Sequence, residues 1–428
     1  MNRWLVVVGG VLIQVCLGAI YAWSVFTPSL SAAGWTAAQT QFVFSAGLAS
    51  FAIVMVAAGY YLMPKLGPRL LVELGGLTLG IGYILAGLVG GTHVVGLILF
   101  IGIIGGAGIG LAYVVPIAVG MRWFPDKKGL ITGLAVAGFG FGAMLWVKLA
   151  GSWGNLIANV GLNATFVIYG VLFAILVAVG GRWMVFPPEG WIPEGWVPHE
   201  AGAGKVAHGT HFKASQMIRT PQYYMLFAAF VFSASAGLMT IGLMKLFPQE
   251  ALVRGGLDAA AASAVAGTAM AVFFSLANGL GRIVWGTVSD WLGRRTSVIV
   301  MCATQGLFVI AFIKMAGTPA LLYLGAALIG FNFGGNFALF PTITADTFGA
   351  KNIAALYPLV FLAYGVGGIA GPILGGRLGD AGNFPTAFVI CGVLCLIAAV
   401  IAAFVRHVDV AELQPVPATS DEAELVES

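Results

Sequence analysis

The chain has 428 residues, of which 60% are hydrophobic and only 8% charged, and its mean hydropathy is +0.98. Soluble globular chains carry about 25% charged residues, so this composition excludes a soluble enzyme and predicts an all-α polytopic membrane protein. The net charge of +4 sits in loops, which gives no reason to expect nucleic acid as a partner; the lipid bilayer is the expected one. Four cysteines, Cys16, Cys302, Cys391 and Cys395, fall inside apolar runs, where a thiol is a small packed hydrophobe, so neither disulfide nor metal nor other cofactor is expected. The first apolar run is too long for a cleaved signal peptide and lacks a small-residue cleavage site, so it is expected to be the first span.

Apolar runs fall at about 4–28, 41–63, 70–91, 94–121, 129–157 and 163–186, and again at 221–249, 261–290, 296–316, 319–347, 352–378 and 384–406. Each matches the roughly 20 residues that cross hydrocarbon as a helix. The spacing predicts two six-helix bundles, 1–186 and 221–406, joined by a polar linker at 187–220 that has no apolar period. An acidic tail at 407–428 is expected to be disordered. Twelve spans put both termini and the linker on one face. Arg3, Lys65, Arg69, Arg122, Lys127, Lys128, Arg294 and Arg295 fall on that face, and the positive-inside bias makes it cytoplasmic, as expected in a bacterial inner membrane.

The two halves resemble each other. GYYLMPKLGPR from Gly59 corresponds to GTVSDWLGRR from Gly286, and PIAVGMRWFPDKKG from Pro116 to PTITADTFGAKN from Pro341. Paired halves of this kind are what a parallel-repeat carrier needs, with its site at mid-membrane where the halves meet. An anion channel would call instead for a pore-lining ring repeated across identical subunits. A membrane-embedded enzyme would call for clustered His, Asp, Glu or Ser in the spans, so no enzymatic activity is expected.

The eighth run, AASAVAGTAMAVFFSLANGLGRIVWGTVSD from Ala261 to Asp290, carries one charge before its terminal Asp290, Arg282. A guanidinium stays ionised, and near mid-bilayer it persists only facing a bundle interior, water or an anion. It lies roughly 12 Å from the Asp290 end of its helix. Asn278 and Phe274 share its face at successive turns, and no carboxylate on that helix is near enough to neutralise it. Its expected partner is a bound small organic anion.

With six plus six spans and Gly-x-x-x-Asp-x-x-Gly-Arg-Arg at 286–295, the chain resembles the major facilitator superfamily. In that fold Asp290 would cap a neighbouring helix and pair with Arg294 or Arg295 as a latch that breaks when the carrier opens; the first half has Pro64 near the matching place. GAIYAWSVF (18–26), RWFPDKKGLITGLAVAGFGFG (122–142), RTPQYYMLF (219–227), NGLGRIVWGTVSD (278–290) and ALFPTITADTFG (338–349) are similar to the oxalate/formate antiporter family, a neighbour of the monocarboxylate transporters. The resemblance implies a small organic anion in a central cavity with Arg282 as its charge partner. It places Asn278 where monocarboxylate transporters carry an aspartate, which removes an Asp-based proton relay. It also places Val360, in LYPLVFLAYGVGG (356–368), where the oxalate transporter carries a second cation. Oxalate has two charges to compensate and a monocarboxylate one, so a monoanion of the formate, lactate or pyruvate class is expected over oxalate, moved by exchange or with a proton.

Tyr21 and Tyr113 match cavity tyrosines of that family, and a phenol can donate to a carboxylate. Phe333, Asn336, Phe337, Tyr357 and Tyr364 are candidates for the wall that dehydrates the anion and sets its size. Lys148 and Lys245 are expected near the outer mouth, Glu73 in a local pair with Arg69, and the glycine runs 102–110 and 138–142 as helix-approach surfaces, since no strand precedes them to make a dinucleotide fold. His199, His208 and His211 lie in the linker with no ligand geometry, and Asn163-Ala-Thr abuts a span and gives no usable glycosylation signal.

Overall fold

A backbone in hydrocarbon must satisfy its own N–H and C=O groups, and this chain does so with helices. The computed structural model describes residues 2–35, 37–90, 93–151, 153–188, 190–193, 212–244, 246–406 and 408. Lys245, the three linker histidines, linker residues 194–211 and the tail from 409 lie outside them. The spans are α1 (Trp4–Leu17), α2 (Ala37–Ala57), α3 (Met63–Leu85), α4 (Val94–Trp123), α5 (Lys128–Ala150), α6 (Leu156–Gly181), α7 (Pro221–Leu243), α8 (Ala259–Leu292), α9 (Arg294–Met315), α10 (Pro319–Phe348), α11 (Ile353–Asp380) and α12 (Phe384–Ala402). Among the described residues eleven continuous helical stretches are long and apolar enough to cross a membrane, and one of them, Phe42–Val89, breaks at Gly67 and so holds two spans.

That break explains the internal repeat. Gly67 has φ 75°, and Gly293, between α8 and α9, has φ 86°, a region open to glycine at no steric cost. The two matching motifs therefore encode the same turn twice. Elsewhere the boundaries move. The apolar run to 157 stops being helical at Gly151; Asn155 then adopts φ 47°, and α6 opens at Leu156 with a short stretch that breaks at Gly161 (φ 81°) before the span proper. The turn keeps Trp153 62% exposed, so hydropathy alone extends the span. The seventh run ends as helix at Leu243, and a separate helix, Leu246–Arg254, follows. Beyond α1 the first span continues as a 3-10 helix over Gly18–Val25.

The helices sort into layers. α3, α6, α9 and α12 expose Leu77, Ile175, Leu307 and Val400 outward, as lipid-facing spans do, and they pack as pairs, α3 on α6 and α9 on α12. α4 and α10 are inner spans: Ala112–Met121 and Asn332–Ala345 are buried without interruption. The halves meet mainly where α5 packs on α8 and α10 and where α2 with the turn after it packs on α11. At the first, a Cβ on Gly133 would lie 2.3 Å from the Arg282 carbonyl oxygen; at the second, one on Gly59 would lie 1.7 Å from that of Ala354. Side chains there would force the helices apart, so these glycines set the approach.

Gly133→Ala is accordingly expected to destabilise by about 1–3 kcal/mol through overpacking. Gly267→Ala, on the same α8 but with open space around it, should leave the thermal midpoint in detergent unchanged or slightly raised. Equal midpoints for the two variants would contradict the close approach.

Candidate functional site

Arg282 is fully buried. Its Nε donates to Asn278 Oδ1 at 2.9 Å, one turn back on α8, and its Nη1 donates to the Val136 carbonyl of α5 at 2.9 Å. The guanidinium carbon lies 4.1 Å from the centroid of Phe337 and 5.3 Å from that of Phe139, within cation–π range. Among the described residues Arg282 forms no ion pair, and its Nη2 has no hydrogen-bond partner.

Of the other buried side-chain atoms without a hydrogen-bond partner, two belong to the aromatic cluster around it, the hydroxyls of Tyr113 and Tyr357. Tyr113 on α4 stands beside the guanidinium without a hydrogen bond of normal geometry, and Tyr21, Tyr357 and Tyr364 lie within its electrostatic reach. Phe361 on α11 is the hub of the ring cluster, 5.3 Å from Tyr113, 5.1 Å from Phe51, 5.6 Å from Tyr357 and 4.9 Å from Tyr364. Phe139 closes the other side, 5.0 Å from Tyr21 and 5.6 Å from Tyr113. The hydroxyls of Tyr21 and Tyr364 hydrogen-bond to each other, linking the 3-10 end of the first span to α11 across the halves.

Of the candidates named from sequence, Arg282, Asn278, Tyr21, Tyr113, Phe337, Tyr357 and Tyr364 come together here. Phe333 stands one layer back, edge-on to Phe337 at 5.3 Å and against Gly237 of α7. Asn336 uses its amide to tie α10 to α7: it accepts from Ser233 Oγ at 2.7 Å and donates to the Phe333 carbonyl at 3.1 Å. Phe51, Phe139, Phe361 and the Val136 carbonyl were not singled out from sequence. Gln14, whose Nε2 donates to the Tyr113 carbonyl at 3.1 Å, was not either, although a lone amide in an apolar run is a readable signal. Phe139 lies inside GFGFG, where the glycines draw attention away from it.

The face bearing Arg3 and Lys128 is closed by ions. Asp290 accepts from the N–H groups of Gly129 (3.0 Å) and Leu130 (2.9 Å), so it caps α5 in the opposite half rather than a helix of its own. Arg294 pairs with Asp290 at 2.6 Å and with Asp346 at 3.1 Å, and Lys128 reaches Asp346 at 3.2 Å. Arg295, expected to share this role, instead donates to the Ala403 carbonyl after α12; one residue along a helix turns its side chain about 100° away from Asp290. At the α2–α11 crossing Pro64 offers no carboxylate, and Arg122 donates to the Lys351 carbonyl at 2.7 Å. Glu73 pairs with Arg69 at 2.9 Å, and Lys148 lies in the last turn of α5, far from the ionic face.

One buried cation with a free donor, two partnerless hydroxyls in the same cluster and an aromatic wall can hold one carboxylate and strip its water. A site of this kind between two six-helix halves is that of a membrane carrier. The family model of the Major Facilitator Superfamily matches residues 11–273 and 256–427, and the chain belongs to that superfamily. It is 31% identical to the uncharacterized MFS-type transporter YhjX of Escherichia coli (strain K12), over 86% of each chain. It is 29% identical to the oxalate:formate antiporter of Oxalobacter formigenes, over 94% of this chain and 91% of that one. Among solved structures it shares the fold of the proton:xylose symporter XylE, with a TM-score of 0.67 at 15% identity, covering 94% of this chain and 96% of that one.

Proposed function

We propose that the chain is a secondary transporter of small monocarboxylates of the lactate, pyruvate or formate class, working by alternating access with the basic face cytoplasmic. The observation that carries this reading is the unpartnered Nη2 of a fully buried Arg282, with the partnerless hydroxyls of Tyr113 and Tyr357 in the same aromatic cluster. A carboxylate accepts several hydrogen bonds, and charge-assisted ones are about twice as strong as neutral ones. One carboxylate fits the donors available and neutralises the cation. Oxalate would bring a second charge, and Val360, which the family resemblance aligns with a second cation, is apolar and fully buried. The length and extent of the match to the oxalate:formate antiporter favour oxalate/formate exchange as the second reading.

The two readings separate in proteoliposomes by initial uptake of radiolabelled lactate, formate and oxalate, with and without internal anion and a pH gradient. A monocarboxylate is expected to enter at least about tenfold faster than oxalate, the factor that about 1.4 kcal/mol of uncompensated charge sets. Preferential oxalate uptake would replace the first reading by the second, and uptake of none of the three would remove both.

A further inference from the structure

We propose that this carrier re-orients without cargo, and so performs net anion flux in addition to exchange. The proposal rests on the transport reading above and concerns how the Arg282 charge is housed as the halves close. Closing strips water from the guanidinium, and a desolvated cation with no substitute partner raises the barrier so far that only a loaded carrier can cross. Such a carrier exchanges but does not return unloaded.

Here the protein supplies substitutes, and it supplies them from both halves. Asn278 and Phe337 stand on α8 and α10, which pack together, and travel with Arg282 through every orientation. The Val136 carbonyl and the Phe139 ring stand on α5, in the opposite half. They reach the guanidinium only where α5 and α8 lie in contact. Gly133 and Gly140 permit that contact; a Cβ on Gly140 would lie 2.8 Å from the Gly279 nitrogen and 3.2 Å from Asn278 Oδ1. The motion that removes water therefore brings a carbonyl dipole and a ring face to the same cation. None of these groups carries charge or titrates near neutrality, so they lower the crossing barrier without competing with a carboxylate for the free Nη2. The loaded site is neutral and the unloaded one carries one positive charge, so net flux moves one negative charge per anion and responds to membrane potential.

The test uses proteoliposomes loaded with radiolabelled lactate, or separately formate, at alkaline pH, with equal potassium on both sides and valinomycin to hold the potential at zero. Efflux is followed into buffer without organic anion and into buffer with excess unlabelled anion. The two rates are expected to agree within about threefold, a barrier difference below that of one tenfold step. Phe139→Leu, which keeps the apolar volume but removes the ring face, is expected to slow efflux into anion-free buffer about tenfold and exchange by clearly less. Wild-type efflux that proceeds only with external anion present would overturn the proposal while leaving the transport reading intact. A Phe139→Leu variant in which both rates fall by the same factor would also overturn it. Absence of exchange with either anion would remove the transport reading and this inference with it.

Discussion

Replacing Arg282 with glutamine is expected to lower monocarboxylate uptake at least about thirtyfold, since truncating one partner of a buried, hydrogen-bonded charge pair costs about 2–5 kcal/mol and each 1.4 kcal/mol is a factor of ten. The variant is informative because glutamine keeps a polar group near the Asn278 side chain and the Val136 carbonyl while removing the charge. The fold should survive it. The arginine forms no ion pair among the described residues, so its removal strands no carboxylate, and replacing a buried charge by a neutral polar group lowers the desolvation cost of the closed state. A wild-type elution profile and thermal midpoint together with lost uptake is the expected pair of results. Arg282→Lys separates charge from geometry. An ammonium cannot serve Asn278, Val136 and a carboxylate from one planar fork, so lysine should recover only a small part of the loss. Wild-type uptake in the glutamine variant would mean that the anion binds elsewhere.

Arg282 could be read from sequence because a charge in an apolar run is costly and therefore conspicuous, and Asn278 followed from the four-residue step of the helix. Tyr21 and Tyr113 were reached through resemblance, and Phe337 as a candidate for an aromatic wall. Phe51, Phe139 and Phe361 were not reached at all, and the physical reason is the solvent. In water an apolar stripe marks the buried face of a helix, but in a bilayer lipid-facing and core-facing positions are both apolar, so periodicity does not fix the rotation of a span. Leu77 and Leu79 on α3 look alike in sequence, yet one is 52% exposed and the other 1%. Backbone partners are hidden further: nothing in the letters of α5 announces that the Val136 carbonyl meets a guanidinium from α8. The latch was legible in part. GTVSDWLGRR pointed to Asp290 and Arg294 as partners, whereas Asp346 and Lys128 enter only once α10 and α5 are placed beside them.

Asp290→Ala is expected to unlatch the face that this network closes. The carboxylate accepts two backbone N–H groups at the start of α5 and one guanidinium, and hydrogen bonds to a charged group contribute about 1.5–3 kcal/mol each when desolvated. Asp290 and Arg294 keep 18% and 13% of their side-chain surface exposed, so screening reduces that sum, and a net loss of about 2 kcal/mol, roughly thirtyfold, is the reasonable expectation. The consequence is conformational rather than local. Asp290 belongs to α8 and its N–H partners to α5, so those two bonds are between halves and their loss weakens the closed state, while the Arg294 pair lies within one half. A cysteine at Thr132, buried at 1% on α5, in a background with the four native cysteines replaced by alanine, should react about thirtyfold faster with an impermeant maleimide from the basic side when Asp290 is alanine. Asp290→Asn, which keeps one acceptor oxygen and loses the charge, should fall between. Asp346→Ala should give a smaller increase, because its partners Lys128 and Arg294 are held from a more exposed position and Arg294 retains Asp290. If all three variants label at the wild-type rate, the glycine-mediated packing of α5 on α8 closes this face without help from its ions. The gate would then have to be sought at Gly129, whose added Cβ would meet the Gly286 carbonyl oxygen at 2.2 Å.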